Sequence, residues 1–371
     1  MPRALEALRR VAAARFAGLL LSAACVGSAL AQQAAYDPQA FEIEAFRTAF
    51  EHEVRMRAAA IEIAWGAEPL CDHTTEIEPF VLASVNAKGR RLNARQRELF
   101  GRATGMDDRW RLVWMDESVP EEIKLGDVVV SVNGKPLPAG ETKMEFGALF
   151  RGQSIYSGDD QGLFEVLAAA REEAVYGKPM TLELADGRRV PVSTQTGCAG
   201  AVGASAFDTD PDKFWRQGNE RVKIPANAMR EARSRDEFRW LAAFGTFYLA
   251  HAAAVEREQS LSSVRMAISA GKILALTIPG AGMVLSAVEA RAEREIAVDG
   301  IVGRADVFAT EVVAALGGDP GAGLAFLKRL RELKVKTDVF DASDFRLSSM
   351  EEHVRSVREI QAAQRKKEPG R

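Results

Sequence analysis

The spacing of apolar positions along the chain changes period several times, and each change predicts an element. After Pro38, the residues Ile43, Phe46, Phe50, Val54, Ile61 and Trp65 recur every three or four positions with Glu and Arg between them. That spacing places them on one face of an amphipathic helix packing on something downstream. The helix ends near Gly66 and Pro69, residues that break the pattern. From Arg111 the period becomes β-like, with Arg111 to Met115 and then Asp127 to Val132, the second run closed by the turn pair Asn133-Gly134. Gln161 to Tyr176 returns to helical spacing, with Leu163, Phe164, Val166, Leu167 and Ala170 on one side. Two further strands, Met180 to Leu184 and Arg188 to Ser193, flank the hairpin turn Asp186-Gly187. Strand, strand, helix and strand pair add up to a small α+β barrel.

Residues 199–218 are rich in Gly and Asp and read as a loop. Beyond them the chain is helical almost to its end. Ser234-Arg235-Asp236-Glu237 is a capping box that opens a helix through Arg257. An apolar run from Ile273 to Val288, inside a helical stretch to Arg294, is interrupted by Pro279-Gly280. At sixteen residues it is short for a bilayer, which leaves a core helix, the favoured reading, or a hairpin making peripheral membrane contact. A helix from Arg304 to Leu316 stops at Gly317-Gly318 and restarts after Asp319-Pro320, and a last one covers Met350 to Gln364. The predicted fold class is α+β: an N-terminal helix and a small β-barrel, followed by a mainly α-helical domain. The segments are 1–31, 32–97, 98–195, a linker at 196–218, 219–360 and a charged tail at 361–371.

A chain of 371 residues suits about two domains. Its 49 Lys and Arg against 52 Asp and Glu give a net charge of −3, which offers no counterion-release drive toward nucleic acid. The first 31 residues read as an export signal: Arg3, Arg9, Arg10 and Arg15, a short apolar run from Phe16 to Val26, then Ala29-Leu30-Ala31 before Gln32. Their removal takes away four Arg and one Glu, leaving 45 basic and 51 acidic residues, a charge of −6. The destination is the periplasm or cell envelope. A lipoprotein anchor at Cys25 is the less favoured route, because Ser22 stands where an aliphatic residue belongs. Cys71 and Cys198 then enter an oxidising space, where two remaining cysteines pair more often than they stay as buried thiols.

The stretch from Ile123 to Leu137, with Gly126-Asp127 and Asn133-Gly134 at either end of the run Val128 to Val132, resembles the core of bacterial PDZ domains. The resemblance covers about residues 98–195, with an extra segment around Glu141 to Asp159. It implies a groove that takes an extended peptide as an added strand. Here that groove is expected between Arg111, Leu112, Val113 and Trp114 and the helix from Gln161. Gly101 to Gly105 stands where the carboxylate-binding loop belongs but lacks its Gly-Leu-Gly-Phe form.

From about Val222 to Val357 the chain resembles zinc metallopeptidases of the HtpX and Ste type, metallopeptidase family forty-eight. The residues that carry this are Val222-Lys223-Ile224, Ala228-Met229, Ser234 to Phe238, and Arg304 to Ala309 running ungapped to Gly318-Asp319-Pro320. Envelope members often place a PDZ domain before the catalytic one, with two cysteines at the positions of Cys71 and Cys198. The family's His-Glu-x-x-His puts two zinc ligands and a general base on one helix face. This chain reads Phe247-Tyr248-Leu249-Ala250-His251. A hydrocarbon ring replaces the first ligand and a phenol replaces the base. In the ungapped register the third ligand position is Val302, with Asp306 after it, while a rival register uses Glu295 and Asp299. Either leaves at most His251 and Glu295 for a metal, short of the three protein ligands of a catalytic zinc site. The family's late His-Pro is Asp344-Phe345, and His52, His73 and His353 have no companion ligands at metal spacing.

The expectation is a non-catalytic pseudopeptidase without cofactor that holds protein or peptide segments in the envelope, through the PDZ-like groove and the vestigial cleft. The alternative is a zinc-dependent endopeptidase with non-standard ligands.

Overall fold

A computed structural model describes residues 38–85, 92–138, 159–206, 210–217, 220–251 and 300–367. The signal segment with Cys25, most of the segment from Glu141 to Asp159, the apolar run from Ile273 to Val288, and the Glu295 and Asp299 pair lie outside them. The chain divides into two compact units between Phe46 and Arg47.

Helix α1, Pro38–Gly66, buries Phe50, Met56, Ala59 and Ile63; of the face its spacing predicts only Phe50 is buried, while Ile43, Phe46, Val54, Ile61 and Trp65 are half-buried. A short 3-10 turn at Glu68–Leu70 leads to Cys71, which is disulfide-bonded to Cys198 across 127 residues of chain. Strand β1, Thr74–Ile77, is followed by β2, Phe80–Ala83, all four of whose residues are buried. Helix α2, Ala94–Thr104, starts at a capping box made by Asn93 and Gln96 and ends on Gly105 at φ 72°. Gly101 to Thr104 is therefore helical and not the expected loop, because Leu99, Phe100 and Ala103 bury one face and the cap satisfies its first amides.

Next come β3, Arg111–Met115, β4, Val129–Val132, and β5, Lys135–Pro136. The turn between β4 and β5 has Asn133 at φ 51° and Gly134 at φ 73°, the left-handed pair that matches hairpin twist. Asn133 also accepts from the Thr181 amide at 2.7 Å and donates to Glu173 at 3.0 Å, fastening this hairpin to its neighbours. Those neighbours are α3, Asp159–Val175, and β6, Met180–Leu184, which continues into β7, Arg189–Val192. Strand β8, Gln195–Cys198, pairs antiparallel with β1, Thr74 facing Cys198. Strand β9, Ala201–Gly203, and β10, Trp215–Gln217, follow. Both lie in the stretch expected to be a loop. They are held by β11, Arg221–Lys223, which pairs parallel with β9 and antiparallel with β10; such short non-local ladders leave little periodicity to read.

The strands form separate sheets, β1-β8, β10-β11-β9, β2-β3 and β5-β4-β6-β7. The expected small barrel does not close among the described residues. Its members still share one core, with Phe80, Leu112, Ile123, Val132, Ala170 and Leu182 packed together.

The helical half starts with α4, Ala226–Glu231, and α5, Arg235–Ala250, whose capping box is Ser234 with Glu237. The described helix ends at His251, short of the expected Arg257, and residues 252–299 lie outside the described set. Helices α6, Ile301–Ala315, α7, Ala322–Glu332, and α8, Asp344–Lys367, complete it. A second core joins α5, α6 and α7 to the later turns of α1, including Met56 and Ile63. Two glycines are demanded by close approach. A Cβ on Gly245 would lie 2.6 Å from Val202 of β9, and one on Gly323 would lie 2.2 Å from the indole of Trp240, which is wholly buried. No helix among the described residues is long and apolar enough to cross a membrane.

Candidate functional site

Two places inherit the chemistry expected from the sequence, the end of α5 and the groove beside α3. At the end of α5, Phe247 and Tyr248 are each 5% exposed. The Phe247 ring packs on His251 at 5.0 Å and on Phe308 of α6 at 5.7 Å, and His251 meets Phe308 edge-on at 5.7 Å. Tyr248 lies 4.8 Å from Phe214 and 5.6 Å from Phe244. Val302, at the first turn of α6, packs against the same core. The locus is thus a ring cluster around one imidazole. Apolar rings offer no lone pair to a divalent ion, so these residues do not fit zinc. Among the described residues no group of three or more His, Cys, Asp or Glu comes together as a metal set.

Asp306 lies on α6 but pairs elsewhere. Its carboxylate accepts two bonds from Arg346 of α8, from Nε and Nη2, each at 2.7 Å. The remaining Arg346 nitrogen donates to the carbonyls of Val339 at 2.7 Å and Asp341 at 3.0 Å. Burial pushes the Asp306 carboxyl up, and the guanidinium pulls against it. The fork ties α6 to the loop before α8, an anchoring role rather than a ligand's. Phe308 and Arg346 were not singled out by sequence reasoning. Phe308 stands on the α6 face that packs against α5, spaced helically with the buried Ala305 and Val312, which is a legible signal. Arg346 carried none, since a single cation in a solvated-looking helix start points nowhere by itself.

The other His residues stand apart. His73 is exposed, His353 is half-buried beside Glu311 at 3.6 Å, and His52 is half-buried against the Phe238 ring at 5.5 Å. Burial, the largest influence, holds the His52 imidazole below its ordinary value.

The groove differs from expectation in which strand borders it. Of Arg111, Leu112, Val113 and Trp114, none lines the cavity beside α3, and the first two are paired on both edges. On one side β3 pairs with β2, Val81 facing Trp114 and Leu82 facing Leu112. On the other, the Leu112 amide donates to Asp127 at 3.0 Å, the Gly126 amide donates to Leu112 at 2.8 Å, and Arg111 bridges Val128. The second edge is thus hydrogen-bonded at Arg111 and Leu112, which interrupts the row a peptide would need there. Arg111 itself binds Asp107 by two nitrogens, at 3.1 and 2.8 Å, and the Gly126 carbonyl at 2.9 Å.

It is β2 that faces α3. Between them, and beneath the later turns of α1, the stretch around β9, Trp215 and β11, lies a cavity of about 300 Å³. Its walls are mostly apolar, with Phe80 and Leu82 from β2, Leu163 and Phe164 from α3, and Val202 and Val222 from β9 and β11. Charge enters at defined points. Arg171 grips Glu78 through Nε at 2.6 Å and Nη2 at 2.7 Å. Burial works against the Arg171 charge, and the Glu78 carboxylate outweighs it, lifting the guanidinium above its ordinary value. Arg57 donates to Glu53 at 3.2 Å and to the Leu82 carbonyl at 3.4 Å. The Arg221 guanidinium lies 3.7 Å over the Phe164 ring, a cation held on an aromatic face. The sequence signal for β2 was present, a four-residue apolar run after Pro79, but its pairing with β3 spans the whole of α2.

No protein-family model matches the chain, and no curated protein or solved structure matches it.

Proposed function

We propose that this protein binds and does not cleave: an exported, pseudopeptidase-like chain that holds protein segments or another apolar ligand, with the groove between β2 and α3 as its principal site. One observation carries the first half of that reading. The positions that a His-Glu-x-x-His helix would devote to metal and base are Phe247 and Tyr248, packed with His251 and Phe308 in a ring cluster. A tyrosine hydroxyl in such surroundings is a poor base at neutral pH, its ordinary pKa being about 10. The groove supports the second half, since a mainly apolar cavity with a few charged groups at its wall is the usual form of a ligand site. The Cys71–Cys198 disulfide fits an oxidising compartment.

The test is purified full-length protein incubated with casein and added zinc, beside metal analysis of the same preparation. The expected result is no chelator-sensitive cleavage and no stoichiometric zinc. Cleavage abolished by chelator would replace this reading with a metallopeptidase using His251 and groups beyond those described.

A further inference from the structure

We infer that the cavity between β2 and α3 is a binding site for an uncharged single-chain amphiphile, an unbranched hydrocarbon tail with a neutral head such as a hydroxyl; this rests on the reading of the protein as a binder and names the ligand class of that site. Shape is the first reason. The lining runs along α3 from Leu163 through Phe164 and Leu167 to Arg171, and along α1 from Arg57 through Ile61 to Ala64. Each stripe covers two helical turns, about 11 Å at about 1.5 Å per residue. A cavity of about 300 Å³ is at the small end for ligand pockets, and drawn out over that length it is a slot rather than a chamber. A slot takes one extended chain, whereas a fused-ring body or a two-tailed lipid needs more width.

The chemistry of the walls is the second reason. Between the two stripes, Ile77, Phe80, Leu82, Val202 and Val222 supply hydrocarbon, and a tail needs nothing else from them. The charges in the wall are engaged within the protein. Arg171 is forked on Glu78, Arg57 pairs with Glu53, Arg221 lies over the Phe164 ring, and Lys223 likewise has a partner. A charged head drawn in would leave water for apolar walls and compete for groups already held, which is costly. A hydroxyl sheds far less hydration than an ion, so a neutral head is the one this lining accepts.

The measurement is calorimetric titration of the full-length protein with hexanol, octanol, decanol and dodecanol within their aqueous solubility. Decanoate and decyltrimethylammonium below their micelle concentrations, and an apolar peptide pool, are the comparison arms. Affinity for the alcohols should rise about fourfold for each methylene added until the cavity is full, and then level off. Decanol should bind at least about tenfold more tightly than either ion, since only the ions bring a charge to the apolar walls. Gly203 lines the cavity, and a Cβ there meets nothing within 4 Å, so Gly203→Leu should abolish decanol binding with little change in melting temperature. Ile61→Ala removes bulk from a half-buried wall position and should move the levelling-off to a longer alcohol. General loosening of the fold would not give that shift, and it can be read even where Gly203→Leu fails to fold. Affinity independent of chain length, binding untouched by Gly203→Leu, or a levelling-off unmoved by Ile61→Ala would overturn the site. Either ion binding as tightly as decanol would overturn the neutral head. Binding of the peptide pool alone would overturn the ligand class and leave the protein a binder, whereas zinc-dependent casein cleavage would remove the underlying reading itself.

Discussion

The end of α5 and the groove beside α3 are both places where a helix faces a neighbour across side chains of mixed chemistry, yet one is filled and the other is hollow. At the end of α5, rings from two helices interlock and the imidazole of His251 lies between Phe247 and Phe308. Beside α3, apolar walls stop short of contact and cations stand at the margin. A packed cluster stabilises by burial and dispersion, and it has no room for a ligand. A cavity forgoes that stabilisation, and it persists where the surrounding framework is otherwise secure. Here the framework is the disulfide at the end of the β1-β8 ladder and the Glu78–Arg171 fork. The difference teaches that Phe247 and Tyr248, with His251 packed against Phe247, belong to the core of this protein, whereas the groove beside α3 leaves space that side chains do not fill.

The comparison breaks most sharply at charge pairs beneath the packed half. Asp306→Ala would leave the Arg346 guanidinium buried without its carboxylate and should cost about 3–5 kcal/mol in urea unfolding. Replacing both partners by apolar residues of similar volume should recover most of that loss. An Asp306→Ala variant as stable as wild type would mean the pair is solvated.

Removing the disulfide by Cys71→Ser with Cys198→Ser should lower stability by about 2–4 kcal/mol, since it frees a long loop in the unfolded chain. Thermal melts with and without reductant on the wild type should give the same difference. If the hollow region depends on this framework, ligand affinity falls with it, while the ring cluster is unaffected.

Writing a His-Glu-x-x-His sequence into α5 by Phe247→His with Tyr248→Glu places polar groups among rings with no partners. The expected cost is about 1–3 kcal/mol, read as a lower melting temperature that added zinc does not rescue. An unchanged melting point would show the locus to be solvated, and the contrast with the groove would collapse.

The smallest effect concerns Asp107, which sits at the foot of β3. Its hydrogen bond to Arg111 is the largest influence and holds the carboxyl well below the usual range, partial burial opposes it, and Arg109 adds to the lowering. A depressed acid stabilises the fold above its unfolded value near 4 and loses that contribution as pH falls. Asp107→Asn should therefore cost under about 1 kcal/mol at pH 6 after solvent screening. The gap between variant and wild type should narrow as pH drops below 4, in denaturant midpoints taken at both ends. A gap that widens on acidification would reverse the sign assigned to this carboxyl.

Where a signal is local, it was legible. The hairpin turns at Asn133-Gly134 and Asp186-Gly187 and the Ser234–Glu237 capping box form at the predicted places, because each depends on residues within one turn of one another. The pairing of Cys71 with Cys198 came from counting cysteines after export. That Phe247 is a hydrocarbon ring and Tyr248 a phenol was likewise visible as residue chemistry.

What tertiary structure decided were the meetings of distant segments. The cavity beside α3 is bordered by β2 and not β3, because β3 pairs with Phe80–Ala83 beyond α2 on one edge and, at Arg111 and Leu112, with the segment at Gly126-Asp127 and Val128 on the other. Backbone pairing has no residue code of its own, so a four-residue apolar run does not announce its partner. Asp306 serves Arg346 because α8 folds back across α6 over forty residues of chain. The cavity exists only where α1, β2, α3, β9 and β11 converge. A hollow is a property of surfaces brought together, and no single segment encodes it.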